Sequence, residues 1–312
     1  MLTPRSDNIE KVCMESKRAL VVEGGAMRGI FASGVLDAFL DVNYKPFDFA
    51  VGVSAGASNL LGYLAGQPKR SYQVITELAT HSDFFNPARF VRGGNLIDVQ
   101  WLFDESLRRF PLDTNAMFRS IPLLAAVTNI DSGNADYYWV NEDNLPHVLE
   151  ATAALPIAYR PTPCFSGGCY TDGGVADSIP VIEAYRRGAR DITVILSHPE
   201  SYEMSPMKLP GLMDHLLKKH PTLAEAMRER ADRYNQSLNF IKHPPTDCTI
   251  HVIAPPEQFS IGRFTMKKAK LDEGYKMGID AGRSYLFSQF KDTLKAQVIE
   301  HHASLFNSAV IL

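Results

Sequence analysis

Gly52-Val53-Ser54-Ala55-Gly56 is the stretch of this chain best suited to covalent chemistry. It has Gly-x-Ser-x-Gly spacing, with an apolar run, Phe47 to Val51, before it and helix-forming residues, Ala55 to Ala65, after it. In a strand–turn–helix setting this spacing lifts a serine oxygen to the tip of a strained turn. Gly52 and Gly56 let strand and helix approach where a side chain would clash, and glycine also tolerates positive φ. Taken alone, the run reads equally as a helix entry capped by Ser54. Two further runs share its character. Gly24-Gly25-Ala26-Met27-Arg28-Gly29 joins the apolar run Ala19 to Val22 to a helical pattern over Ile30 to Leu40. Asp172-Gly173-Gly174 is a carboxylate followed by two glycines, which in isolation is a surface turn.

The elements that must position these runs follow from apolar spacing. The opening reads strand, glycine-rich loop, helix, then the strand that ends at Ser54. That order implies parallel pairing with a right-handed crossover. Sites in such sheets lie beyond the carboxyl ends of the strands, so both glycine-rich turns fall on one edge. Helices are expected over Arg70–Thr80, Ile97–Arg108, Leu145–Ala154 and Val181–Gly188, and strands over Leu123–Ile130, Ala135–Val140 and Ile192–Leu196. Residues 199–247 carry six prolines around two charged helical stretches, near Leu212–Lys219 and Leu223–Phe240. Thr249 to Ile253 is one more apolar strand, which suggests a return to the same sheet, and Met266–Phe290 reads as helix. The expected fold class is a three-layer α/β/α protein with a mainly parallel central sheet. Its expected divisions are a leader at 1–18, a catalytic unit at 19–198 and a mostly helical extension at 199–312 on the same core.

Composition narrows the function. The chain has 312 residues, 45% of them hydrophobic and 21% charged, with a net charge of −3, so a sizeable core is expected and nucleic acid is not an expected partner. Met1 to Arg18 is polar and does not read as a secretory signal. No apolar run approaches the ~20 residues of a spanning helix. A cytoplasmic protein is expected, with peripheral contact at a membrane surface as an option. Lysines and arginines between 207 and 242 would suit an anionic membrane, but interleaved acids favour an ordinary solvated face. Cys164 and Cys169 flank an expected hairpin tip and could pair, but with no export signal free thiols are expected. No cofactor is expected, and no residues stand at zinc or calcium spacing.

In this order, the three runs resemble the patatin-like phospholipase family. Its pattern is a Gly-Gly-Gly-x-Arg-Gly loop, a Gly-x-Ser-x-Gly turn and an Asp-Gly-Gly or Asp-Gly-Ala motif. Ala153-Ala154-Leu155-Pro156 and Ile179-Pro180 also look like the family, and the resemblance covers about residues 19–198. It implies a lipid or acyl-ester substrate and a Ser54–Asp172 dyad without histidine. Ser54 would attack the acyl carbon, Asp172 would take its proton, and water would release the acyl-enzyme. Main-chain N–H groups of Gly24, Gly25 and Ala26, at a helix N-terminus, would hold the oxyanion. Ala26 departs from the pattern, which has glycine there. Arg28 would either pair with a structural carboxylate or meet a phosphate head group, while Gly29, Gly52, Gly56, Gly173 and Gly174 support the turns.

Three other readings are weaker. A dinucleotide fingerprint, with Asp48 on the ribose, needs glycine at position 26. An ordinary Ser-His-Asp hydrolase would place several strands before its nucleophile and a histidine late in the chain. His251 is late enough, but it lies inside an apolar strand. A non-catalytic acyl-binding protein of the same fold would not need both Ser54 and Asp172.

Overall fold

The computed structural model describes residues 17–309, with side chains described to residue 291. The leader expected at 1–18 lies almost wholly outside these residues; Lys17 and Arg18 already belong to the first strand. Among the described residues eight strands form the sheet: β1 (Lys17–Val22), β2 (Phe49–Val53), β3 (Leu123–Asn129), β4 (Ala135–Trp139), β5 (Cys164–Phe165), β6 (Gly168–Asp172), β7 (Ala189–Ile195) and β8 (Thr249–Ile253). The central run β3-β2-β1-β7-β8 is parallel throughout, while β4 and β6 pair antiparallel with β3. β8 lies beside β7, so the last third of the chain enters the same sheet.

β1 shows why the molecule has three layers. Ala19, Leu20, Val21 and Val22 are all fully buried, as a parallel strand covered on both faces must be. Successive side chains point to opposite faces. Leu20 and Val22 join one core with α1 (Gly29–Asp41) and α2 (Ala55–Leu64), through Phe31, Phe39 and Leu60. Ala19 and Val21 join the other, through Val181 and Tyr234. α3 (Leu145–Ala153) runs beside β3 and β6, and α4 (Val181–Arg186) and α5 (Pro221–Lys242) cover the second face.

The last helix, α6 (Lys268–Ala309), packs directly on α1. Gly274, Gly278 and Gly282 recur every fourth residue, giving the helix a smooth stripe. A Cβ on Gly278 would stand 2.1 Å from the Phe31 carbonyl oxygen. Tyr275 also donates a hydrogen bond to Asp37 at 2.7 Å. Since α1 springs from the glycine-rich loop, this contact makes the C-terminal helix a support for that loop.

Two expectations need correcting. Cys164 and Cys169 face each other across the β5–β6 hairpin and form a disulfide, not free thiols. The helix expected over Arg70–Thr80 is α-helical only from Arg70 to Gln73 and widens to a π-helix over Val74–Leu78.

Candidate active site

The register of β3 brings the chemistry-bearing residues together. On one side, β2 pairs up to Val53 opposite Ala126. β4 occupies the other side of β3 over residues 124–128, so β6 must take the same side as β2. It runs in the opposite direction and ends with Asp172 opposite Val127. β2 and β6 therefore meet head to head, with Ser54 just past one tip and Asp172 at the other, although 118 positions separate them in sequence.

Ser54 adopts φ 53° and ψ −122°, a strained backbone for a residue with a side chain. Gly56 makes the turn possible: a Cβ there would stand 2.4 Å from the Val22 carbonyl oxygen. The turn is held from below by Thr152, which is fully buried on α3. Its hydroxyl accepts from the Ser54 N–H at 2.9 Å and donates to the Ala126 carbonyl at 2.6 Å.

Asp172 is held as firmly. Its N–H donates to the Ala154 carbonyl at 2.9 Å, and the Thr128 hydroxyl donates to the Asp172 carbonyl at 2.8 Å. Side-chain Oδ1 accepts from the Gly174 N–H at 2.7 Å. Gly173 must lack a side chain, since a Cβ would fall 2.1 Å from the Ala126 carbonyl oxygen. Burial pushes the Asp172 carboxyl above the usual carboxylate range, while the nearby Ser54 hydroxyl, the Gly174 N–H and two arginines act against that shift. Oδ2 is the only carboxylate oxygen among the described residues that is buried without a hydrogen-bond partner. Ser54 thus lies close enough to influence the carboxylate but makes no well-aligned bond to it. Loose contacts of this kind commonly tighten only in the substrate complex.

The glycine-rich loop lies against the serine turn: a Cβ on Gly24 would stand 3.4 Å from the Ser54 Cβ. Its three N–H groups are not equivalent. Gly24 donates to the Ser178 carbonyl at 3.3 Å, so its N–H is already engaged. For Gly25 and Ala26, no acceptor occurs among the described residues. Ala26 has φ 49°, the left-handed region where the family pattern has glycine. Asn59 on α2 donates to the Gly29 carbonyl at 2.7 Å, tying the helix after the serine to the helix after the loop.

Arg28 is buried but has no carboxylate within ion-pair distance among the described residues; its Nε reaches the Ser197 hydroxyl at 3.5 Å. Its neighbour Glu23 instead accepts from the Ser197 N–H at 2.5 Å and the Tyr234 hydroxyl at 3.0 Å. A mostly apolar cavity opens beside Ser54 and Ala26, with Phe84, Phe85, Ile97 and Leu102 in its walls. Among the described residues no histidine lines it. His198 sits behind the loop on Glu23, and His251 pairs with Asp191 on the sheet edge. Asp48 accepts from the Arg18 N–H at 2.6 Å, just before β2 begins and so at the opposite edge from the loop, which removes the dinucleotide reading.

Thr152, Ser178, Arg230 and Arg263 belong to this neighbourhood but have no motif around them in the sequence. Two of them stood next to a signal: Thr152 one position before Ala153-Ala154-Leu155-Pro156, and Ser178 one position before Ile179-Pro180.

The three-layer α/β/α fold, with a strained Gly-x-Ser-x-Gly turn facing a buried Asp-Gly-Gly motif, falls in the class of lipid acyl hydrolases. The chain belongs to the patatin-like phospholipase family, whose model matches residues 20–185. A second family model, a domain of unknown function (DUF6363), matches residues 220–294. The Escherichia coli K12 protein YjjU, itself uncharacterized, is 34% identical over 289 residues, spanning 91% of this chain and 81% of that protein. Among solved structures, VipD from Legionella pneumophila is similar with a TM-score of 0.49 and 16% identity, covering 88% of this chain and 67% of that one. Family membership implies hydrolase activity on lipid esters. No helix among the described residues is long and apolar enough to cross a membrane.

Proposed function

We propose that this protein is a lipid acyl hydrolase of phospholipase A or esterase type, working through a Ser54–Asp172 dyad and an acyl-enzyme. The observation that carries the reading is the head-to-head meeting of β2 and β6 across β3. Asp172 takes the Ser54 proton as the hydroxyl oxygen attacks the acyl carbon, then returns it to the departing alcohol oxygen. Water, deprotonated by the same carboxylate, attacks the acyl-enzyme and releases the acid. Burial suits Asp172 to this work, because a raised pKa makes the carboxylate a stronger base.

The oxyanion forms beside Gly25 and Ala26, whose N–H groups have no protein acceptor among the described residues, and we assign the hole to those two. Loss of one such donor typically costs about 10²–10³ in rate. Gly24 acts as a structural tie to Ser178 instead. The apolar cavity takes the acyl chain, and the absence of a histidine from its described lining supports a dyad over a triad.

The test is kcat on a soluble neutral ester for Ser54→Ala, Asp172→Asn and the double variant, each checked for folding. Each single change is expected to lower kcat to near background, and the double change no further, because groups acting as one unit are not additive. A fluorophosphonate should label the wild type and not Ser54→Ala. A folded His198→Gln variant as inactive as Ser54→Ala would replace the dyad with a triad.

A further inference from the structure

Three guanidinium groups crowd the polar side of this site without a carboxylate partner. Arg28, Arg230 and Arg263 form no ion pair among the described residues, whereas Arg18, Arg109, Arg187, Arg190, Arg228 and Arg233 all do. Arg230 is planted at the base motif: its Nε donates to the Gly174 carbonyl at 2.6 Å and its Nη2 reaches the Ser178 hydroxyl at 3.4 Å. Ser178 in turn accepts from the Gly24 N–H at 3.3 Å, which places Arg230 beside the glycine loop. Arg263 lines the cavity with Ser54 and Ala26 and makes no hydrogen bond within the described residues. Arg28 lies on the same loop and spends only its Nε, on Ser197.

Two acids stand nearby, and neither neutralises the group by contact. Glu23 is occupied by the Ser197 N–H and the Tyr234 hydroxyl, and the Asp172 Oδ1 by the Gly174 N–H. Burial lowers the Arg28 guanidinium pKa and takes that of Arg230 down to about 10; in both Arg263 adds to the effect, while Glu23, and for Arg230 also Asp172, act against it from a distance. The three therefore lie within range of one another's charge. Like charges held together away from water are unfavourable unless an anion completes the group.

We propose that Arg28, Arg230 and Arg263 form a subsite for a phosphate group on the substrate, next to the scissile ester and beside the cavity that Arg263 also lines. Guanidinium forks suit phosphate oxygens, which they meet in paired, charge-assisted hydrogen bonds. Arg230 and Arg263 both come from residues 220–294, the region matching the domain of unknown function. That region then supplies head-group selection to a catalytic unit that carries only Arg28. The proposal rests on the hydrolase reading of Ser54 and Asp172 and adds the residues that select the head group.

The test has two arms. In the first, kcat/KM is measured below micelle concentration for dihexanoyl phosphatidate and dihexanoylglycerol, which share acyl chains and differ in the phosphate. The wild type should favour the phosphatidate by at least about tenfold, and Arg263→Gln should lower that ratio by on the order of tenfold, the worth of one charged hydrogen bond. Arg263→Lys should recover most of the ratio. In the second arm, sn-glycerol 3-phosphate is titrated calorimetrically into the Ser54→Ala protein at fixed ionic strength, with and without Arg263→Gln. Binding weakened about tenfold by Arg263→Gln supports the subsite without any need for turnover. A ratio near one in the wild type, or one that Arg263→Gln leaves alone, overturns the proposal. Binding of glycerol phosphate without preference for the phosphatidate would mean a site for free phosphate and would overturn the substrate assignment. No hydrolysis of either ester alongside Arg263-dependent binding would sink the hydrolase reading and leave the anion site standing.

Discussion

Thr152→Val is the sharpest test of how the serine turn is held. Valine keeps nearly the same shape but has no hydroxyl. It leaves the Ser54 N–H and the Ala126 carbonyl without their bonds of 2.9 Å and 2.6 Å, at a position fully closed to solvent. A buried polar group left unpaired costs about 1–3 kcal/mol, and the extra methyl recovers about 1 kcal/mol of that through apolar burial. Two such groups, less that recovery, give an expected loss of roughly 1–5 kcal/mol. Against a typical total of about 5–15 kcal/mol the protein should stay folded at room temperature. The effect on rate comes from strain. The Ser54 backbone, at φ 53°, sits about 1–2 kcal/mol above ordinary conformations, and without its N–H anchor it can relax. Relaxation of that size would move the oxygen away from Asp172 and lower kcat by about tenfold or more. KM should change little, because Thr152 does not line the acyl cavity. Thr152→Ser is the control: it keeps both hydrogen bonds, loses one methyl group and should cost about 1 kcal/mol with kcat near wild type. Urea denaturation and kcat on a soluble neutral ester measure both quantities. If Thr152→Val loses no more stability than Thr152→Ser, the argument from unpaired groups is wrong. If it loses stability but keeps kcat, Thr152 supports the core and not the turn.

Three further outcomes are expected. Gly278→Val should destabilise by at least about 1–3 kcal/mol, as overpacking does, because its Cβ would press on the Phe31 carbonyl oxygen; unchanged thermal unfolding would mean that α6 does not pack on α1 as described. Ala26→Gly should stabilise by about 0.5–1 kcal/mol, relief of left-handed strain outweighing the added freedom of the unfolded chain, and a lower Tm would refute it. The pH dependence combines two signs. Ionised Asp172 is the working base, so kcat/KM should rise with pH along a limb whose midpoint lies above the ordinary aspartate value. A carboxyl pKa raised by folding means that the native state holds its proton more tightly, so this group's contribution to stability is present at low pH and is lost as pH rises through the same limb. A limb centred at or below the ordinary value would show that Asp172 is not the titrating base.

Much of this site was legible before folding because its signals are contiguous. A strand, a glycine and a serine within a few residues determine a sharp turn by local sterics alone, and the apolar runs around them determine strands and helices by spacing. The strand over Thr249–Ile253 and the hairpin at Cys164–Cys169 were readable for the same reason. The pairing of the two cysteines was not, because composition argued from compartment while the hairpin register set them face to face. A glycine-rich loop announces N–H donors, but only the fold shows that Ser178 has already taken the one on Gly24. Thr152 is a common residue in an ordinary helix, and nothing local distinguishes it until α3 lies beneath the serine turn. Arg230 likewise looks like solvated surface in a charged stretch, and Arg263 stands in a run without a motif; they become cations without carboxylate partners only when α5 and the approach to α6 close over the loop. Sequence specifies what each short segment prefers. The side of β3 that β6 occupies, and hence whether Ser54 ever meets Asp172, depends on pairing between distant strands, where a shift of one residue turns every side chain to the other face.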